Sequence, residues 1–314
     1  MIKVSDLTKR YGSLVAVDGI SFEVEGGGVV GFLGPNGAGK STTIRILACY
    51  QPATKGSASV AGFDVFRDSM EVRRRVGYLP ESAPLYPEMR VREYLHFRGK
   101  LRGLGYPERV EAIRKAADRC WLGDFINRPI SQLSKGMKQR VGLADAIMHN
   151  PEVLILDEPT IGLDPTQIRE TRHLIRELGE HHTVLLSSHI LHEVEQTCYR
   201  TIIIAKGRIV ASGSPEELRA QLSAKARVVA EMRGATEQEV RETASRLDGV
   251  AKVDVSSSNG WVRLAIEPMP QRDVREELFK LTTAKGWSLR ELKREGASLE
   301  DFFIQVIADQ ESRT

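Results

Sequence analysis

Apolar and polar residues alternate near the start of the chain, with Ile20, Phe22 and Val24 set against Ser21 and Glu23. A period of two marks a half-buried strand, and residues 1 to about 32 read as short β-rich segments. The run Val29-Val30-Gly31-Phe32-Leu33 has no polar position, as expected of a strand buried on both faces. It leads into a glycine-rich turn, Gly34 to Gly39, and a helix is predicted from Lys40. Strand, glycine loop and helix in that order open an α/β nucleotide-binding fold.

From about 70 to 150 the pattern is mostly helical and rich in arginine. After Pro151 strands and helices alternate again. Strands are predicted at Val153 to Asp157, Thr183 to Ser187 and Arg200 to Ile204, and helices from Pro165 and from about Ile190. Asp164 before Pro165 is a helix start, an oxygen-bearing cap followed by proline at the first helical position. Ser214, Pro215 and Glu217 make another. A boundary is expected near Ser223 to Ala226, separating domains at 1–222 and 227–314. The second reads β-α-β-β-α-β, with strands about Arg227–Met232, Val250–Val255, Trp261–Ile266 and Trp287–Glu291. Its first helix opens at Thr236 with Glu239 three residues on. Its second carries Val274, Leu278 and Leu281 and stops at Gly286. A last amphipathic helix is predicted from Ser298 to Ala308.

Composition narrows the function. Lys and Arg number 45 and Asp and Glu 42, a formal charge of +3, which lacks the concentrated positive charge that grips phosphate backbones. No nucleic-acid partner is expected. Cys49, Cys120 and Cys198 are few and far apart, so neither a disulfide framework nor a CxxC metal site is expected, and a reducing cytoplasm fits. No apolar run approaches the ~20 residues of a membrane helix, so no direct membrane insertion is expected. Lys3, Asp6, Lys9 and Arg10 break any apolar leader.

The chemistry sits in three places. Gly34-Pro-Asn-Gly-Ala-Gly-Lys40-Ser41 fits G-x-x-x-x-G-K-[ST]. Glycines let main-chain N–H groups turn inward on an anion, the helix start adds its positive end, Lys40 brings an ammonium to the phosphates, and Ser41 offers a hydroxyl to Mg²⁺. Val153-Leu154-Ile155-Leu156-Asp157-Glu158 is an apolar strand ending in two acids, at the strand end where α/β sheets bind ligands. Asp157 is placed to hold Mg²⁺, and Glu158 to orient and deprotonate a water. Leu133-Ser134-Lys135-Gly136-Met137-Lys138-Gln139-Arg140 opens a long helix through Val141, Ala144 and Ile147, a second start with an affinity for anions.

Taken with Tyr11, Gly162-Leu163-Asp164 and His189, these motifs over residues 1 to about 222 closely resemble the ATP-binding subunit of ABC transporters. The resemblance implies a P-loop ATPase fold with a β-rich edge, a RecA-like core and a helical subdomain at about 70–150. It implies that Gly34, Pro35, Asn36, Gly37, Ala38, Gly39, Lys40, Ser41 and Thr42 bind ATP, and that Ser41, Asp157 and Glu81 bind Mg²⁺. Glu158, His189 and Lys40 would be catalytic. Tyr11 would stack on adenine; the alternative is a tyrosine packed beside a turn. Ser134 and Gly136 would contact ATP held by a second subunit, and Asp164 would couple the two sites. Two departures from the family pattern stand out: Glu81 stands where glutamine is usual, and Ser-Lys-Gly-Met replaces Ser-Gly-Gly-Gln at 134–137. The tail, with Ser298-Leu299-Glu300-Asp301-Phe302-Phe303, resembles ABC-2 type exporter ATPases. The implied partners are a separate transmembrane permease and a second ATPase copy or paralogue, and the implied location is peripheral on the inner face of the cell membrane. Arg73 to Arg75, Arg90, Arg92 and Arg98 are candidates to face the permease, or form a solvated charged face. The competing class is a soluble ABC ATPase not tied to transport. His181 and His182 read as solvated loop residues.

Overall fold

Alternation in the first segment and unbroken apolarity in the next build two different sheets. The computed structural model describes residues 1–218, 227–269 and 272–295. Its first ten strands are β1 (Ile2–Tyr11), β2 (Leu14–Val24), β3 (Gly28–Leu33), β4 (Lys55–Val60), β5 (Phe63–Asp64), β6 (Val76–Leu79), β7 (Val153–Asp157), β8 (Thr183–Ser188), β9 (Arg200–Ala205) and β10 (Arg208–Gly213). Between them lie helices α1 (Lys40–Leu47), α2 (Ser69–Arg75), α3 (Val91–Leu101), α4 (Tyr106–Arg119), α5 (Lys135–Ile147), α6 (Pro165–Gly179) and α7 (Leu191–Thr197). The half-buried strands form an antiparallel sheet in the order β2-β1-β4-β5. The largely buried strands form a second sheet in the order β10-β9-β3-β8-β7-β6, parallel from β9 to β6, as strands covered on both faces do, with the half-exposed β10 antiparallel at its edge.

One core joins the two sheets. Ile2, Val4, Ile20 and Phe22 of the antiparallel sheet pack in the same cluster as Val30, Phe32, Ile155 and Leu185 of the parallel one, with Ile44 and Leu47 of α1. This clamps α1, and so the loop before it, from both sides.

The order of the parallel strands positions the site. In the chain β8 follows β7, yet in the sheet it lies between β3 and β7. Its last residues therefore pair with both neighbours: Ser187 lies level with Phe32 and Asp157, and Ser188 with Leu33.

The stretch at 70–150 is not wholly helical. Val76–Leu79 is a four-residue strand paired in parallel with β7. Four residues are too few to show a period, and only the long-range pairing reveals them as strand. Strands β4, β5 and β10 are additions to the predicted set.

Met1–Pro215 belong to one compact unit, and the second begins at Glu216, ahead of the expected boundary at 222. Residues 223–226, where that boundary was placed, and the helix expected at 298–308 lie outside the described residues. In the second unit the strands are β11 (Arg227–Arg233), β12 (Val250–Ser258), β13 (Trp261–Pro268) and β14 (Ser288–Glu295). They form an antiparallel sheet in the order β12-β13-β11-β14, the split βαβ arrangement. Its core holds Val228, Met232, Leu264 and Ile266 against Val240 and Leu278 of the helices Glu237–Ala244 and Arg275–Ala284. Thr236 and Glu239 form the capping box that their spacing predicted.

Candidate active site

The loop from Gly34 to Gly39 leaves β3 and enters α1 with main-chain atoms pressed on its outer side. A Cβ on Gly34 would lie 2.4 Å from the Ile204 carbonyl oxygen. One on Gly39, whose φ is +105°, would lie 2.5 Å from that of Ala16. Only glycine fits either place. Gly39 caps α1 without a side chain, so no side-chain acceptor meets the free N–H groups of the first turn. By contrast α5 and α6 are capped by their own sequence. Ser134 Oγ accepts from Met137 N at 3.2 Å, and Asp164 Oδ1 accepts from Thr166 N and Gln167 N. The start of α1 is thus built for an external anion.

Lys40 is buried, 6% exposed. Its ammonium donates to the carbonyls of Gly34 at 2.6 Å and Pro35 at 3.1 Å, and lies 3.5 Å from Glu158 Oε1. Burial pushes its pKa down; the charges of Glu158, Asp157 and Glu81 oppose that. The exposed Glu81, in the turn after β6, therefore contributes to the field at Lys40.

The two acids end β7, and both are buried. Asp157 Oδ1 accepts from Ser187 Oγ at 2.6 Å and from Ser41 Oγ at 3.2 Å. Glu158 has a left-handed backbone, φ +50°, which turns its side chain out of the strand's alternation. Its Oε2 lies 2.9 Å from His189 Nδ1. A carboxylate only accepts, so Nδ1 carries the proton and Nε2 of a neutral ring is left as an acceptor.

Tyr11 is 46% exposed and donates to Gln51 Oε1 at 2.7 Å, while Gln51 Nε2 donates to the Thr42 carbonyl at 3.2 Å. Gln51 so ties the aromatic ring to the helix that follows the glycine-rich loop. The Lys9 ammonium lies 5.2 Å from the centre of that ring.

Ser134, Gly136 and Asp164 belong to a different junction. A Cβ on Gly136 would lie 2.4 Å from Gln167 Oε1 and 3.1 Å from a Leu163 methyl, so α5 starts against the turn that opens α6.

One sequence reading changes. His182 is not a solvated loop residue; it is buried, with Nδ1 2.6 Å from the Pro151 carbonyl. Most of the arginines offered as a permease-facing set are engaged within the chain. Arg98 lies 2.9 Å from the buried Asp145, Arg73 donates to the Cys49 carbonyl, Arg75 pairs with Glu71 and Glu152, and Arg90 donates to the Asn127 carbonyl. Ser187, Glu193 and Gln51 escaped the sequence reading. Glu193 is buried and accepts from Thr160 Oγ1 at 2.7 Å, tying the segment after Glu158 to α7. The available signal was a pair of serines directly before His189 at a strand end.

The residues fit a magnesium-bound nucleotide. An uncapped helix start in a glycine cradle and a buried ammonium suit phosphates. A hydroxyl and a carboxylate 3.2 Å apart are the oxygen donors that Mg²⁺ takes alongside phosphate oxygens.

Residues 17–161 match the family described as ABC transporter. The chain is 31% identical over 308 residues to the ABC transporter ATP-binding protein YhaQ of Bacillus subtilis, covering 98% of each chain. It is 41% identical over 212 residues to the bacitracin transport ATP-binding protein BcrA of Bacillus licheniformis, covering 67% of this chain and 68% of that one. Among solved structures it is similar to the dimeric post-hydrolysis state of the ATP-binding cassette MJ0796 bound to ADP and Pi. The TM-score is 0.63 at 25% identity, over 68% of this chain and 98% of the other.

Proposed function

Because the chain belongs to the ATP-binding proteins of the ABC transporter family, we propose that it binds ATP with Mg²⁺, hydrolyses it as one half of a dimer, and so drives a separate membrane permease of the exporter type. The observation that carries this reading is the meeting of Lys40, Asp157, Glu158 and His189 at the ends of three adjacent parallel strands.

In this reading the 34–42 segment and Lys40 hold the phosphates, and Tyr11, anchored through Gln51, offers its exposed ring to adenine. Ser41, Asp157 and Glu81 hold Mg²⁺, which when bound neutralises phosphate charge. Glu158 accepts a proton from the water whose oxygen attacks the terminal phosphorus, as the bond to the bridging oxygen breaks. His189 orients Glu158 through Nδ1 and leaves Nε2 free to meet the phosphate side. Ser134, Gly136 and Asp164 face the second subunit's nucleotide. Each ATP then bridges two subunits, and hydrolysis removes the bridge.

Two observations support the partner reading. Among the described residues no helix is long and apolar enough to cross a membrane, which is consistent with a separate permease. A groove of about 900 Å³ beside β6 and α3 has the exposed Tyr50, Met70 and Leu101 among its lining residues, a surface suited to an apolar segment of a permease. The exporter assignment draws on the tail resemblance and on the likeness to the bacitracin transport ATP-binding protein BcrA.

Glu158→Gln keeps shape and hydrogen bonding but removes the base. It is expected to bind ATP, to lose at least about 100-fold in turnover, and to run as an ATP-dependent dimer in size-exclusion chromatography with light scattering. Turnover at the parental rate would remove Glu158 from the role of base.

A further inference from the structure

Ser187 is fully buried at the end of β8, in the strand that separates the phosphate-loop strand from the acid strand. Its hydroxyl works in both directions. It donates to Asp157 Oδ1 at 2.6 Å and accepts from the Glu158 main-chain N–H at 3.0 Å. The first bond fixes the carboxylate rotamer of Asp157. The second holds the main chain of Glu158 at its φ of +50°, a conformation unfavourable for a non-glycine residue unless its surroundings enforce it. With no exposed surface at Ser187, water does not substitute for either bond.

We propose that Ser187 is a positioning residue that sets the Asp157 carboxylate for the divalent cation and the Glu158 side chain for the attacking water. This rests on the nucleotide-site reading above. Ser41 contacts the same Asp157 oxygen, but its bond is longer and its hydroxyl has the cation as its own proposed partner. Ser187 has no such second task. Neighbouring groups that orient a metal ligand typically govern about 10-fold or more in metal affinity.

The test uses the full chain and a fluorescent ATP analogue, titrated with MgCl₂ and, separately, in EDTA. In Ser187→Ala the Mg²⁺ concentration for half-maximal nucleotide binding should rise about 10-fold, with binding in EDTA unchanged, and turnover should fall. Ser187→Thr keeps the hydroxyl and should restore the parental Mg²⁺ dependence. If Ser187→Ala does not fold, Ser187→Cys, close in size but a weak donor, should show the same rise. A parental Mg²⁺ dependence in the alanine variant, or in the cysteine variant where that one is used, overturns the proposal. A parental protein that binds no nucleotide in either titration would instead overturn the nucleotide-site reading.

Discussion

Lys40 is a cation held among main-chain carbonyls and one carboxylate, with almost no water contact. Burial of an ammonium is unfavourable without such partners, so the position is maintained by the site rather than by packing. Lys40→Ala should lose on the order of 3 kcal/mol of transition-state stabilisation, about 100-fold in kcat/KM. Arg45→Ala, on the exposed side of the same helix, should leave ATPase activity nearly intact. A steady-state assay of both variants checks this; equal losses would mean that the helix, not the ammonium, is at fault. At this scale the phosphate loop and the acids were legible, because their spacing carries the chemistry. The hydroxyl of Ser187 was not, because its partners come from a strand paired with it 30 residues away.

At the scale of elements, three helix starts do different work. Those of α5 and α6 are closed by their own caps, while that of α1 is open within a glycine cradle. Asp164 accepts two main-chain N–H groups of α6, so Asp164→Ala should cost about 1 kcal/mol of stability, read as a lower urea midpoint at unchanged m-value. An unchanged midpoint would show that Pro165 alone holds the turn. Asp164 was visible as a cap from its place before a proline. Strand β6 was hidden inside a helical segment because its ladder partner, β7, is remote in sequence.

For the whole molecule, His149 joins the helical segment to the sheet. It follows α5 and lies 3.2 Å from the Val76 carbonyl at the start of β6, so Nε2–H donates there; Nδ1 is buried with no hydrogen-bond partner among the described residues. Burial, reinforced by the charge of Arg102, pushes its pKa down to about 3. The unfolded chain takes up a proton near pH 6.5 and the folded chain does not, so stability is lost as pH falls from about 6.5 towards 3. His149 alone should remove about 2 kcal/mol between pH 7.5 and 5. Urea unfolding at those two pH values should show the slope in the parental protein and a shallower one in His149→Leu. An equal slope in both would assign the acid sensitivity elsewhere.

The chain's own pattern determined the glycine-rich loop between a strand and a helix, the acid pair at a strand end and the βαββαβ order of the second unit, because each is written in local spacing. Only the tertiary structure decided that β8 inserts between β3 and β7, and with that insertion came the junction of Ser187, Asp157, Glu158 and His189. Strand order depends on which apolar faces cover one another across more than a hundred residues. A local period records that a face is apolar and leaves its partner unspecified.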